Sequence, residues 1–235
     1  MKFIRNLIVF FFDMIDHYYH QKKIMVYLSK YKNQIKNLMD IGCHKGKYTD
    51  LFLRNLNITE AFLIEPQEHL FNFLKKKYSR ETKIKIFNFA VSDENANKKF
   101  YLNKHDLTSS LNQLDFNNKF IEYKSILFSS RKEGMISRSI TVETLTLNKI
   151  FLSNKINKID LIKIDTEGHE LEVLKGSNEI MEKLKFILIE FRNDRVFLNY
   201  DGRKIHEFLL KNNFQLIKTF KFPFTTWEDR VYIRN

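Results

Sequence analysis

Apolar residues along this chain fall into short runs that stop at a charge or a glycine, with stretches of helical spacing between them. Leu38, Met39 and Ile41 make the first run, Ala61 to Glu65 (AFLIE) the second, Ile84 to Val91 the third, and Leu161, Ile162 and Ile164 a later one. Runs this short, without polar alternation, are expected of strands covered on both faces. Helical spacing follows at Lys47 to Leu56 and at Gln67 to Tyr78, where Leu70, Phe71 and Leu74 face inward. Lys75, Lys76 and Lys77 in the last turn complement the negative end of that helix. Lys98 to Leu102 adds a short outlying strand, and residues 140 to 152, ITVETLTLNKIFL, pass from β-like to helical patterning. The alternation of strand and helix predicts a parallel sheet with right-handed crossovers. In such a sheet the strand after the third sits beside the first on its other side, opening a crevice where ligands bind.

Two stretches depart from this pattern. Residues 1 to 30 read as an N-terminal helical extension, with Ile4, Leu7, Ile8, Phe11, Ile15 and Tyr18 at helical spacing. The apolar centre from Leu7 to Phe12 ends at Asp13 and is too short for a secretion signal or a membrane span. A helix packed on the domain, or on a second subunit of a homo-oligomer, is favoured. Peripheral membrane contact through residues 1–23 is the other reading, weakened by the acids on the polar face. From Asn103 to Arg138 the chain is polar and irregular, which predicts a substrate-facing insertion rather than a neutral loop. The 235 residues suit a single domain, 1–235, since no repeat or glycine-serine linker divides them.

Composition is globular, 43% hydrophobic and 14% aromatic, which excludes a disordered chain. The net charge of +12 allows attraction to anionic surfaces, nucleotide sugars or nucleic acid without choosing among them. It motivates a second hypothesis, an RNA methyltransferase or nucleic-acid-binding protein. Against it, no basic stripe is interleaved with stacking aromatics. No nucleic-acid partner is therefore expected. Cys43 is the one cysteine, so no intrachain disulfide forms and a cytoplasmic location is expected.

Candidate chemistry begins at NLMDIGCHKGKYTD, residues 37 to 50. Asp40 places a charge at the carboxyl end of a central strand, where a buried carboxylate needs donors. Gly42 and Gly46 follow, and missing side chains let backbone amides approach a ligand at a helix N-terminus. The loop lacks the G-x-G-x-x-G of a pyrophosphate site. It suits a cofactor with a charged amino-acid tail and no phosphate, as S-adenosylmethionine has, although an ordinary strand-to-helix turn would read the same. Glu65, followed by Pro66, ends the second strand about twenty residues on, where open α/β sheets hold ribose hydroxyls. The stretch IDLIKIDTEGHELEVLKG, residues 159 to 176, repeats the arrangement. Its strand breaks off at Asp165, which would face the cofactor's reactive end, and a helix opens with Glu167, Gly168, His169 and Glu170. Charge complementarity with a helix N-terminus accounts equally for Glu167 and Glu170, but not for Asp165.

The segments DIGCHKG, IEP, NFAVSD, TLTLNKIF and IDLIKIDTEGHELEVLKG, with ILIEF after them, resemble the FkbM family of S-adenosylmethionine-dependent methyltransferases over about residues 37 to 191. The resemblance implies a Rossmann-like class I methyltransferase fold. Its sheet would have seven strands, mostly parallel, with helices on both faces and a C-terminal antiparallel hairpin at Phe214 to Phe220 and Arg230 to Ile233. It implies methyl transfer to a hydroxyl on a sugar, polyketide or other natural product, so the expected partner is a small-molecule or carbohydrate acceptor. Carried over by position, Asp40, Gly42 and Gly46 cradle the methionine part of the cofactor, Glu65 and Pro66 the ribose, and Ala90 and Ser92 the adenine. Asp165, Glu167 and Glu190 converge on the acceptor. Asn148 departs from the family pattern, and residues 103 to 138 match it poorly, which leaves the acceptor undefined. A hydroxyl is a weak nucleophile, so a base or a metal would help. Asp165 and His169 are candidate bases, although a lone histidine near a helix start is as often structural. Three converging carboxylates require either a raised pKa on one or a cation among them. The first is expected, with no metal, because only His169 adds to the oxygen ligands.

Overall fold

The computed structural model describes residues 11, 14–103, 109–118, 121, 136–194, 196–223 and 225–235. Among these, a seven-stranded sheet is built from β1 (Asn37–Ile41), β2 (Glu60–Ile64), β3 (Ile84–Phe87), β7 (Ile159–Ile164), β8 (Leu184–Arg192), β9 (Phe214–Lys221) and β10 (Trp227–Arg234). Its order is β3-β2-β1-β7-β8-β10-β9. The first five of these are parallel, and β10 runs antiparallel to both β8 and β9. The strand that follows the third in the main sheet does lie against the first, so the predicted crevice exists. A second sheet joins β4 (Ala90–Val91), β5 (Ala96–Asn103) and β6 (Ile136–Leu145) in the order β4-β6-β5.

The central strands are apolar without alternation because both faces are covered. Met39, Ile41, Ile162, Ile164, Ile187 and Ile189 belong to one buried cluster, while Leu38, Leu161, Phe186 and Leu188 belong to another. Fully burying each such side chain contributes about 1.5–3 kcal/mol. The helices are α1 (Gln21–Leu28), α2 (Lys47–Asn55), α3 (Glu68–Lys77), α4 (Leu147–Ser153), α5 (Glu170–Lys175) and α6 (Gly202–Lys211). In the last turn of α3, Lys77 does more than complement a dipole: its ammonium donates to Asp50 at 2.7 Å and to the Lys45 carbonyl at 2.8 Å.

Three expectations change. The third strand divides: Ile84–Phe87 pairs with β2, but Ala90–Val91 leaves for the second sheet and pairs with β6. At the N-terminus, Ile24, Met25 and Leu28 of α1 enter the same core cluster as Leu38 and Phe52, so this segment packs on the domain itself. Its buried face is not the one read from spacing, because Phe11 and Tyr18 are exposed while His20, Gln21 and Ile24 are buried. A π-helical turn at Asp16–His20 inserts residues into the helical phase and rotates the stripe. The apolar centre Leu7 to Phe12 lies outside the described residues except for Phe11. Finally, the end of the 103–138 stretch is not irregular, since β6 begins at Ile136. Of its interior, residues 109–118 and 121 are described, and a bridge from Ser110 to Tyr101 and another from Leu114 to Phe197 anchor them. No helix among the described residues is long and apolar enough to cross a membrane.

Candidate active site

The carboxyl ends of β2, β1, β7 and β8 and the start of β10 open on one cleft of about 250 Å³. Going across the sheet, Glu65 and Pro66 follow β2, Gly42 follows β1, Asp165 follows β7, and Glu190 lies near the end of β8. Ala90, Glu167 and His169 also line this cleft. Asp40, Gly46 and Ser92 do not line it.

Asp40 is fully buried under the cleft floor. Its Oδ2 accepts from the Thr49 hydroxyl at 2.7 Å, and its Oδ1 lies 3.8 Å from the Lys163 ammonium. Burial raises the Asp40 pKa, with the Lys163 charge opposing. Lys163 is itself buried and bonds Asp165 at 3.0 Å, so one cation ties the acid of β1 to the acid beyond β7. Sequence reading passed over this lysine. Its signal was present, a charge inside the apolar run IDLIKI, on the same strand face as Leu161 and in register with Asp40.

The glycines are required by backbone geometry. Gly42 has φ of +75°, and a Cβ there would lie 1.9 Å from the Asp165 carbonyl oxygen. That approach exists because the Asp165 N–H donates to the Ile41 carbonyl, closing the β1 and β7 ends on each other. Gly46 has φ of +71°, and its missing side chain makes room for the Tyr78 hydroxyl, which sits 3.0 Å from the Gly46 carbonyl. Glu65 is buried and its two oxygens accept from the backbone N–H groups of His44 and Gln67, each at 2.9 Å. Burial raises its pKa to about 7 against those two hydrogen bonds.

The segment after β7 is a tight turn rather than the first turn of a helix. Glu167 has φ of +55°, and Glu170 Oε1 accepts from the N–H groups of Thr166 and Gly168 at 2.9 and 3.1 Å. Glu170 thus holds the turn together, and α5 starts only at this residue. Both ring nitrogens of His169 are occupied. Nδ1 lies 2.8 Å from the Asn112 Oδ1 and Nε2 lies 2.9 Å from the Ser92 hydroxyl. The Asn112 amide also donates to the Gly168 carbonyl. Burial, reinforced by Lys98, lowers the His169 pKa to about 4, so the ring is neutral near pH 7.

Asp165, Glu167 and Glu190 do converge, with one ligand atom from each within 4.8 Å of the others, close enough for a single ion. Arg192 also reaches this cluster, and sequence reading missed it. Its Nη2 bonds Glu167 at 2.8 Å, and its Nε lies 2.8 Å from Glu190 Oε1 as an ion pair without hydrogen-bond alignment. The Glu190 pKa is raised by burial above all, with Arg192 opposing and Asp165 and Glu167 adding to it. Asp16, from the N-terminal extension, and Trp227, neither of them read as a site residue in the sequence, line the same cleft. Together six carboxylates and one arginine line it, so its field is negative although the whole chain carries +12.

The model of the methyltransferase FkbM domain matches residues 40–216. A curated relative, the 2-O-methyltransferase NoeI of Sinorhizobium fredii, is 27% identical over 167 residues, covering 68% of this chain and 65% of the relative. The hexuronic acid methyltransferase AglP of Haloferax volcanii is 24% identical over 155 residues, covering 65% of this chain and 54% of the relative. The chain therefore spans between about half and two thirds of the length of these relatives. A crystal structure of a methyltransferase FkbM from Methylobacillus flagellatus superposes with a TM-score of 0.52 at 15% identity, over 85% of this chain and 44% of that one.

Proposed function

Because the chain belongs to the FkbM methyltransferase domain family, we propose that it transfers the methyl group of S-adenosylmethionine to a hydroxyl of a sugar. The observation that carries this reading is one cleft in which the tips of neighbouring strands present Glu65, Gly42, Asp165 and Glu190 in order. The names of the two curated relatives support the acceptor class. The donor set fits the cofactor. Carboxylates suit a cation, and Glu65 keeps acceptor capacity for ribose hydroxyls beyond its two backbone partners. When bound, the sulfonium supplies an electrophilic methyl group.

The residues divide the remaining work. Gly42, Asp40, Gly46 and Pro66 shape the cofactor end, with Ala90 on its adenine side and Ser92 behind. Asp165, held by Lys163 at 3.0 Å, orients what binds above it. Glu190 is the better proton acceptor, since burial raises its affinity for a proton and Arg192 only partly opposes this. Glu167 is clamped by Arg192, and His169, with both nitrogens engaged, positions the turn rather than taking a proton. Alignment of the hydroxyl for in-line attack supplies much of the remaining acceleration. The negative cleft does not favour a nucleic-acid acceptor, whose phosphates it would repel.

The test is transfer of labelled methyl from S-adenosylmethionine to a panel of methyl glycosides. Glu190→Gln is expected to lower kcat at least ~10²-fold, the lower range for loss of a general base. Its S-adenosylhomocysteine affinity should hold within about threefold. Full turnover by Glu190→Gln would move the proton-accepting role elsewhere, and absence of transfer to any sugar would overturn the acceptor class.

A further inference from the structure

The acceptor end of the cleft is built partly by segments that the family match does not include. That match ends at residue 216 and begins at residue 40, yet Asp16, Trp227 and Asp229 line the cleft beside Glu190 and Arg192. Trp227 opens β10 directly across from Arg192, and Asp229 lies across from Glu190. The Trp227 ring is fixed by stacking on Phe222 at 4.2 Å and by the edge of His20 at 5.1 Å. His20 in turn is buried and bonds Asp229 at 2.7 Å, which locks the N-terminal π-turn onto the last hairpin. Asp16, one turn earlier, is thereby brought to the cleft wall, where the Gln21 amide donates to its Oδ2 at 2.6 Å. Burial first, and Asp229 in addition, raises its pKa to about 6, with His20 opposing.

An indole surface beside carboxylates is the pairing a pyranose ring calls for. Its C–H face is apolar and its rim offers hydroxyl protons, which carboxylate oxygens accept. The charge of the wall narrows the choice further. Asp16, Glu190 and Asp229 stand there against Arg192, which Glu167, Glu190 and Asp194 already engage. An acceptor carrying its own carboxylate or phosphate would meet uncompensated repulsion.

We propose that Asp16 and Trp227 form the acceptor-recognition subsite of this enzyme and that it selects a neutral pyranose over an acidic one. The proposal rests on the sugar-methylation reading above and adds the residues and the charge class. His20 and Asp229 are positioning residues that hold the two segments together. The selected acceptor thus differs in charge from the substrate in the name of one relative, the hexuronic acid methyltransferase.

Trp227 is the one tryptophan in the chain, so its fluorescence reports the subsite directly. The full chain, saturated with S-adenosylhomocysteine, is titrated with the gluco, galacto and manno methyl pyranosides and with the uronate counterpart of each. At least one neutral pyranoside is expected to perturb the emission and to bind at least tenfold more tightly than its uronate. Asp16→Asn should weaken that pyranoside at least tenfold and leave S-adenosylhomocysteine affinity, read by calorimetry, within twofold. Trp227→Phe, which keeps an aromatic ring on Phe222, should raise the acceptor KM at least fivefold with kcat within threefold. Equal or tighter binding of the uronates would overturn the proposal, as would an unchanged acceptor KM in both variants. So would a parallel loss of S-adenosylhomocysteine affinity in Asp16→Asn, which would make Asp16 a cofactor residue. Methyl transfer to sugars by the wild type with both variants unaffected would remove the subsite alone. Failure of the wild type to bind or methylate any of the six sugars would remove the sugar reading together with it.

Discussion

Glu65 is ionisable, buried and already bonded to two backbone N–H groups, and burial nonetheless raises its pKa from 4.5 to about 7. A group whose folded pKa is raised lends stability below its unfolded pKa and loses that contribution as pH rises through the folded value. Ionised Glu65 therefore costs the free protein about 3 kcal/mol above pH 7, relieved on acidification toward pH 4.5. In the proposed complex, ribose hydroxyls donating to the carboxylate would stabilise its ionised form, so cofactor binding and protonation would compete. S-adenosylhomocysteine affinity should fall up to about tenfold per pH unit below 7, because one site must lose one proton. Calorimetry across pH 5.5 to 8 should show this slope for the wild type and a flatter, weaker profile for Glu65→Gln. A slope that survives in the variant would assign the linkage to another group. Glu65 was legible in the sequence because a strand end, a proline and the distance from the glycine loop are all local signals. Arg192 was not, since a charge at the end of a strand looks like an ordinary exit to solvent until its partners are known, and the charge of Lys163, although visible inside an apolar run, named no partner until the register of β1 and β7 was known.

At the scale of elements, the strand-to-turn-to-helix unit after β7 depends on contacts from far along the chain. Asn112 joins it by donating to the Gly168 carbonyl and by accepting from the His169 ring, while the Ser110 hydroxyl donates to the Thr166 carbonyl at 3.0 Å. The neutral ring must carry its proton on Nδ1 to meet the Asn112 oxygen, which leaves Nε2 to accept from Ser92. Removing the amide with Asn112→Ala leaves two partly buried groups unpaired and should cost about 1–3 kcal/mol in denaturant unfolding. Turnover should fall further than S-adenosylhomocysteine affinity, because the turn carries Glu167. Unchanged stability and kcat would mean that residues 109–118 do not support the site. The order of β2, β1 and β7 was readable from the buried runs together with the crossover rule, and β8 was expected only from the family resemblance. The break between Phe87 and Ala90 was not, since Ala90–Val91 is as apolar as the strand before it and only its pairing with β6 separates the two. Nor was the face of the N-terminal helix, because one π-turn shifts its phase without a mark in composition.

The whole molecule sets a surface charge of +12 against a cleft lined by six carboxylates, and this contrast bears on how the acidic cluster is neutralised. Asp165, Glu167 and Glu190 lie close enough for one divalent ion. They are already served by two cations of the chain. Lys163 sits 3.0 Å from Asp165, and Arg192 lies 2.8 Å from both Glu167 and Glu190. A divalent ion would have to enter beside a guanidinium fixed at that distance, a repulsion of several kcal/mol at the effective dielectric of a protein site. Burial raises the affinity of Glu190 for a proton in the free protein, and in the proposed complex the cationic sulfonium would offset the third negative charge and leave Glu190 able to accept a proton. Turnover should accordingly survive prolonged treatment with a chelator and should not rise on adding magnesium. Arg192→Met removes the competing cation and leaves the carboxylates unpaired. It should either destabilise the fold by about 3–5 kcal/mol, the range for a broken buried pair, or create a variant that divalent ions stabilise. Thermal melts of wild type and variant, with and without magnesium, separate these outcomes. A wild-type enzyme that loses activity to chelator and regains it with magnesium would make the cluster a metal site and reassign Glu190 from proton acceptor to ligand.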